Sequence, residues 1–248
     1  PYYHDITWRL NVPTDKAGTF AFFGMAGVSS IDLISSTSED SVDNIYNNDL
    51  DIYDRSKVGL AGFTHQYLIN DKSYTRLTLS ASATVNSDIV DSISSETFEP
   101  VDFYRQDFTQ YRLSANFMYK LKLNARHNIQ AGVRGDMFVI DLVDSMYRAQ
   151  LDRYVTLTAF DGNTTLLQAY VQYQYRISEQ LAFTVGLHDQ YLTLNGSNAI
   201  EPRAGLKYAI NDVNSVSFGY GLHSMMAPIS TYFKTEEVML GVCITPND

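Results

Sequence analysis

The sequence predicts an all-β protein, an antiparallel transmembrane β-barrel segment of about ten long strands. Three observations carry this expectation: long stretches in which polar and apolar residues alternate, connections that are by turns very short and long, and a high content of Tyr and Phe. The alternation is clearest from Arg76 to Asn86, where Leu77, Leu79, Ala81, Ala83 and Val85 interleave with Thr, Ser and Asn. Period two over that length means a strand with one apolar and one polar face. The same pattern returns at Tyr111–Leu121, Ile129–Val139, Leu167–Ile177, Leu181–Leu187 and Val216–Leu222. Soluble sandwiches use strands of about five or six residues, whereas a membrane barrel needs about ten.

The strands are expected at about 2–11, 18–33, 57–69, 74–93, 109–123, 127–145, 165–177, 181–194, 201–210 and 215–226. Tight connections rich in turn formers fall at Pro13–Ala17, Asn70–Ser73, Asn124–Arg126, Ser178–Gln180 and Asn211–Asn214. Between them, long loops are expected around 34–56, 94–108 and 146–164, with the short Asn195–Asn198 as the exception. Short turns at one end and long loops at the other are characteristic of outer-membrane barrels.

Alternation assigns the faces. In the fifth strand Tyr111, Leu113, Ala115, Phe117, Tyr119 and Leu121 are expected against lipid, with Arg112, Ser114, Asn116, Met118 and Lys120 inward. Tyr111 and Tyr119 stand roughly 20 Å apart along the barrel axis, near the spacing of two aromatic girdles. In the seventh strand Leu167, Ala169, Val171, Tyr173, Tyr175 and Ile177 form the lipid face, opposite Gln168, Tyr170, Gln172, Gln174 and Arg176. The Gly-rich second and third strands allow no assignment. An interior of Arg, Gln, Ser and Thr is too polar for a packed core and is expected to face water or a polar plug.

Composition narrows the functional classes. The 248 residues fit one large β domain, and no apolar run approaches a transmembrane helix. Tyr (18) and Phe (13) are abundant, as expected where a barrel wall meets lipid headgroups. The net charge of -10 leaves no basic stripe for phosphates, so no nucleic-acid partner is expected. Acids gather at Glu39, Asp40, Asp43, Asp49, Asp51 and Asp54, and again at Glu96, Glu99, Asp102 and Asp107. The single cysteine, Cys243, cannot form an intrachain disulfide. The chain does not start with Met and shows no signal peptide, so it reads as a mature chain or an internal fragment.

The stretch Ile200-Glu-Pro-Arg-Ala-Gly-Leu-Lys-Tyr208, followed by Ser215-Val-Ser-Phe-Gly-Tyr-Gly-Leu-His-Ser224, resembles a signature of the TonB-dependent outer-membrane receptors. The likeness is to the branch with an N-terminal carboxypeptidase-like regulatory domain. Tyr2–Asn11 and Ser29–Asp32 resemble the same branch, and the likeness runs from about Tyr2 to Phe233. It implies a barrel of about twenty-two strands, a plug inside it and a TonB-engaging box, of which residues 1–233 would be a barrel segment flanked by further strands. Residues 234–248, which include Cys243, depart from the pattern and form an unassigned tail.

Site candidates are few. Asp49-x-Asp51-x-x-Asp54, after Asn47 and Asn48, offers oxygen ligands for Ca²⁺ but lacks the Gly and Glu of an EF-hand, and a solvated acidic loop is the preferred reading. His4, His65, His127, His188 and His223 have no zinc spacing. No metal, cofactor or catalytic group is therefore expected, and the chain reads as non-enzymatic. Inward-facing Arg112, Arg134, Asp136, Gln172, Gln174, Arg176 and Arg203 are the candidates for contact with a plug or a passing solute, or else form ladders that stabilise the wall. Tyr46, Tyr53, Phe98, Phe103, Tyr104 and Tyr154 are candidates for stacking on a sugar, binding a partner lipoprotein, or packing the loops together.

The resemblance implies energy-coupled import of an unnamed ligand across a Gram-negative outer membrane, with TonB and the plug as partners. Two other readings fit the alternation alone: a passive pore or small structural barrel, and a soluble β-rich binding module with its apolar face buried against a second sheet.

Overall fold

The computed structural model describes residues 1–36, 49–233, 236–238 and 242–244. Ten strands form one antiparallel meander: β1 (Tyr2–Thr14), β2 (Gly18–Leu33), β3 (Leu50–Asn70), β4 (Ser73–Ile93), β5 (Pro100–Lys122), β6 (His127–Arg148), β7 (Arg153–Arg176), β8 (Leu181–Leu192), β9 (Ser197–Ala209) and β10 (Ser215–Gly221). Each pairs with its sequence neighbours, and β1 and β10 are the two edges of an open sheet. Two three-residue strands, β11 (Glu236–Val238) and β12 (Val242–Ile244), pair only with each other.

All five turns at one end use the same local chemistry. A side-chain oxygen accepts a backbone N–H two or three residues on: Thr14 from Ala17, Asn70 from Lys72, Asn124 from Arg126 and His127, Ser178 from Gln180 and Leu181, and Asn211 from Val213 and Asn214. These Asx and Ser/Thr turns explain why Asn, Ser and Thr recur there. Gly18, at φ +83°, completes the first turn, where a Cβ would lie 2.2 Å from the Gln66 carbonyl oxygen.

The opposite end corrects all three expected long loops, the one around 34–56 because β3 already begins at Leu50. Residues 94–108 shrink to a connection over 94–99, because β5 already begins at Pro100. Residues 146–164 shrink similarly, since β6 and β7 are joined across the single turn Ala149–Leu151. The polar sequence there is strand rather than loop, because both of its faces meet water and it needs no apolar stripe to stay paired. The 23 residues of β5 span roughly 58 Å at about 3.3 Å per residue and about 40° of tilt, against an apolar band about 25 Å tall. The ladders thus run on for about 30 Å beyond lipid.

Register also settles the faces of β2 and β3. Phe22, Phe63, Leu79, Ala115, Gly135 and Leu167 stand in one row across the sheet, so Phe22 and Phe63 share the lipid face of the zippers. The neighbouring inner row runs Phe23, Gly62, Ser80, Ser114 and Asp136. Trp8 packs over Gly24 on the lipid face, where any side chain would meet the indole ring.

The packed core lies on the inner face, not the lipid face. Phe138, Ile140, Leu142 and Ile229 are buried together, with Phe108, Phe160, Leu166, Leu194, Met226 and Tyr232 against them. The expectation of a uniformly polar interior therefore fails above Arg112. The expected extension of β10 to residue 226 fails for the same reason. After Gly221 the chain leaves the sheet edge, the short helical turn Ile229–Phe233 turns inward, and Ile229 completes the apolar shelf on β5–β7.

Candidate functional site

Below that shelf the inner wall is polar, and its centre is Asp136. Ser114 stands directly opposite on β5, while Arg112 lies two residues further along the same face. Arg112 donates through Nε and Nη2 to Asp136 Oδ1 at 3.0 and 2.8 Å, and Arg134 Nε lies 2.8 Å from Oδ2. The Ser114 hydroxyl donates to the same carboxylate. Asp136 is 1% exposed, so its charge is held by three side chains rather than by water. The Arg112 guanidinium also sits 5.3 Å over the Phe138 ring, at the boundary between polar wall and apolar shelf.

The other expected residues take up separate positions. Gln172, Gln174 and Arg176 run down the inner face of β7 and are exposed. Gln174 accepts from Asn128 across the ladder, and Tyr170 accepts from Gln130. Arg176 has no side-chain partner among the described residues and stands exposed on the same polar face.

Arg203 belongs to a second cluster that sequence reading did not single out as a site. Glu201, 2% exposed, faces His188 directly across β8–β9. Its carboxylate accepts from Arg203, from His188 Nδ1 at 3.0 Å, and from both the backbone N–H and the hydroxyl of Ser224. The Glu-Pro-Arg and Leu-His-Ser stretches that carried the family resemblance are therefore joined physically, by Glu201 and Ser224. The signal available in sequence was parity, which places Glu201 and Arg203 on one face.

Beyond the lipid band some of the acidic residues have structural partners. Asp51 accepts from the Ser35 and Ser36 backbone N–H groups and from the Ser36 hydroxyl. Burial opposes its charge, but these hydrogen bonds prevail and hold its pKa below the ordinary carboxylate value. Asp54 lies across from Asp88 on β4, on the other face of β3 from Asp51, so the spaced acids do not converge. Among the described residues no three His, Cys, Asp or Glu side chains gather as a metal site. Glu39, Asp40, Asp43, Tyr46, Asn47 and Asn48 lie outside the described residues.

Of the described aromatic residues expected in loops, Tyr53, Phe103, Tyr104 and Tyr154 lie in strands, and Phe98 stands in a connection. Arg105 ties this region together. It bonds Asp91 at 2.7 Å and Asp102 at 2.6 Å and lies over the Tyr154 ring. Burial, followed by a hydrogen bond to Asp144, pushes the Tyr104 hydroxyl up to about 12, so it stays a neutral donor. The histidines are dispersed: His65 stacks on Phe20 and His127 on Tyr175 at the lipid-facing rim, far from His188.

The model of the family described as TonB dependent receptor-like, beta-barrel matches residues 2–233. The chain belongs to that family. It is barrel wall of an outer-membrane receptor and transporter family, and the cross-strand register keeps the polar residues of its zippers on one face and the apolar residues on the other. Membership supplies the context in which a plug and TonB act with such a wall. The family is one of transporters and receptors rather than of enzymes. No curated protein matches the chain.

Proposed function

We propose that this wall serves energy-coupled import of a ligand across the outer membrane of a Gram-negative bacterium. The ligand binds from outside, its arrival is signalled to the plug, and TonB remodels the plug so that the ligand enters the periplasm. The observation that supports this reading is the inner face itself, where Arg176 stands beside exposed Gln172 and Gln174 and Arg134, though paired with Asp136, remains 41% exposed. Such donors suit a polar plug surface or a polar solute. The protruding Tyr53, Phe103, Tyr104 and Tyr154 region suits contact with a surface lipoprotein or the ligand.

The test is to replace Arg134 and Arg176 by Ala in the full-length protein. Ligand binding at the outer end survives, while TonB-dependent uptake falls or passive leak rises. Unchanged uptake and leak would remove both arginines from the mechanism. Uptake that persists without TonB would replace import by a passive pore.

A further inference from the structure

The segment after β10 neither continues the wall nor leaves the barrel. Leu222 N–H still donates to the Pro202 carbonyl, after which Ser224 turns onto Glu201 and Gln190. Five residues later Ile229, 9% exposed, enters the cluster of Phe138, Ile140 and Leu142. Tyr232 closes the path, its hydroxyl accepting from the Ala227 N–H. Both attachments are on the inner face, since Glu201 shares a row with His188 and Tyr170, and Phe138 stands opposite Arg112.

We propose that residues 222–233 form an inner strap that narrows the lumen above the Arg112–Asp136 cluster and so limits the size of solute that passes. This rests on the reading of the wall as a transport passage. Two dissimilar fastenings hold the strap. One is a polar latch, in which Glu201 takes both hydrogens offered by Ser224. The other is an apolar anchor, in which Ile229 removes the inner surface of Phe138, Ile140 and Leu142 from water. Without the strap, a channel wall would present an unbroken apolar shelf to the lumen, beginning at the level of Tyr111 and running outward from there. Between strap and wall lies a cavity of about 190 Å³ lined by Gln190, Asn198, Ser224, Met225, Met226 and Tyr232, among others, too small for a ligand-sized solute.

The test uses the full-length protein carrying Cys243→Ser, in intact cells that lack TonB, so that its result is independent of energy-coupled import. Reporter cysteines are placed at Thr164, 2% exposed directly opposite Phe138 and outside the anchor itself, and at Gln168 on the inner face just below the shelf, and labelled from outside with membrane-impermeant maleimides of graded size. Unseating the strap with Ile229→Ser speeds labelling of Thr164→Cys by about tenfold or more, since opening of a packed segment governs access. It also admits larger maleimides to Gln168→Cys. Ser224→Ala, which weakens only the latch, gives the same changes in smaller measure and keeps the anchor as a control for folding. Unchanged labelling of Thr164→Cys in both variants would overturn the strap. Faster labelling there, with the same size limit at Gln168→Cys, would overturn its role as a filter.

Discussion

Arg112 reaches Asp136 along the diagonal of the β5–β6 ladder, because the position directly opposite Arg112 holds Phe138. The pair thus marks the level at which the inner wall changes from polar to apolar, and the carboxylate is shared with Arg134 and Ser114.

That sharing makes Asp136 and Arg112 unequal. Asp136→Ala leaves two guanidinium groups without their common partner and is expected to cost about 3–5 kcal/mol. Arg112→Ala costs less, since Arg134 still neutralises the carboxylate. Urea unfolding of the full-length protein in lipid vesicles measures both, and equal losses would show that Arg134 does not compensate.

Charge tolerance should differ between the two faces of the sheet. Leu113, 54% exposed on the lipid face, becomes a cation in hydrocarbon in Leu113→Arg, at a cost between the about 2–4 kcal/mol of the midplane and the about 0–1 kcal/mol of the rim, since Tyr111 lies two residues away. Gln172→Arg, on the exposed inner face of β7 opposite Gln130 and Gly186, places the same charge in the lumen and folds into vesicles with little loss. Equal folding yields for the two variants would contradict the assignment of faces.

The two ends of the ladders should differ in access. A cysteine at Glu99, in the 94–99 connection, labels from outside intact cells; one at Asp212, in the turn between β9 and β10, does not. The opposite pattern would invert the orientation of the sheet.

A pH effect is expected at Asp88, which faces Asp54 directly across β3–β4 beyond the lipid band. Burial, then its hydrogen bond to Asp54, then the charges of Asp54 and Asp107 raise its pKa. A carboxyl group whose folded pKa is raised works against the fold when ionised, and this penalty disappears as pH falls through the raised value. Asp88→Asn should therefore stabilise the full-length protein at neutral pH by about 0.5–1 kcal/mol, the scale of one cross-strand charge pair. In acid the variant and the parent should melt together. A stabilisation that grew in acid would show that like-charge repulsion is not the cause.

How much of this was legible in the sequence depended on whether both faces of a strand differed. Leu113 beside Ser114, or Val171 beside Gln172, declares its face directly. In β3, Val58 and Leu60 face inward while Gly59 and Ala61 face lipid, so the contrast inverts and only the register with Leu79 and Ala81 resolves it. In β6 the run Met137 to Val143 is apolar on both faces apart from Asp141, and nothing local reveals that Phe138, Ile140 and Leu142 await Ile229. The roles of Glu201 and Ser224 were hidden for a similar reason, since their contact joins positions on either side of a turn and a strand.

The protruding ladders bear on the thermodynamics of the first encounter with a ligand. An entrance built of flexible loops must be ordered when something binds, and each rotamer-rich side chain immobilised costs about 0.5–1.5 kcal/mol. Here Tyr104, Arg105 and Tyr154 sit on backbone already fixed by continuous inter-strand pairing. The entrance is thus preorganised, and affinity gained there carries a small entropic penalty and little dependence on induced fit.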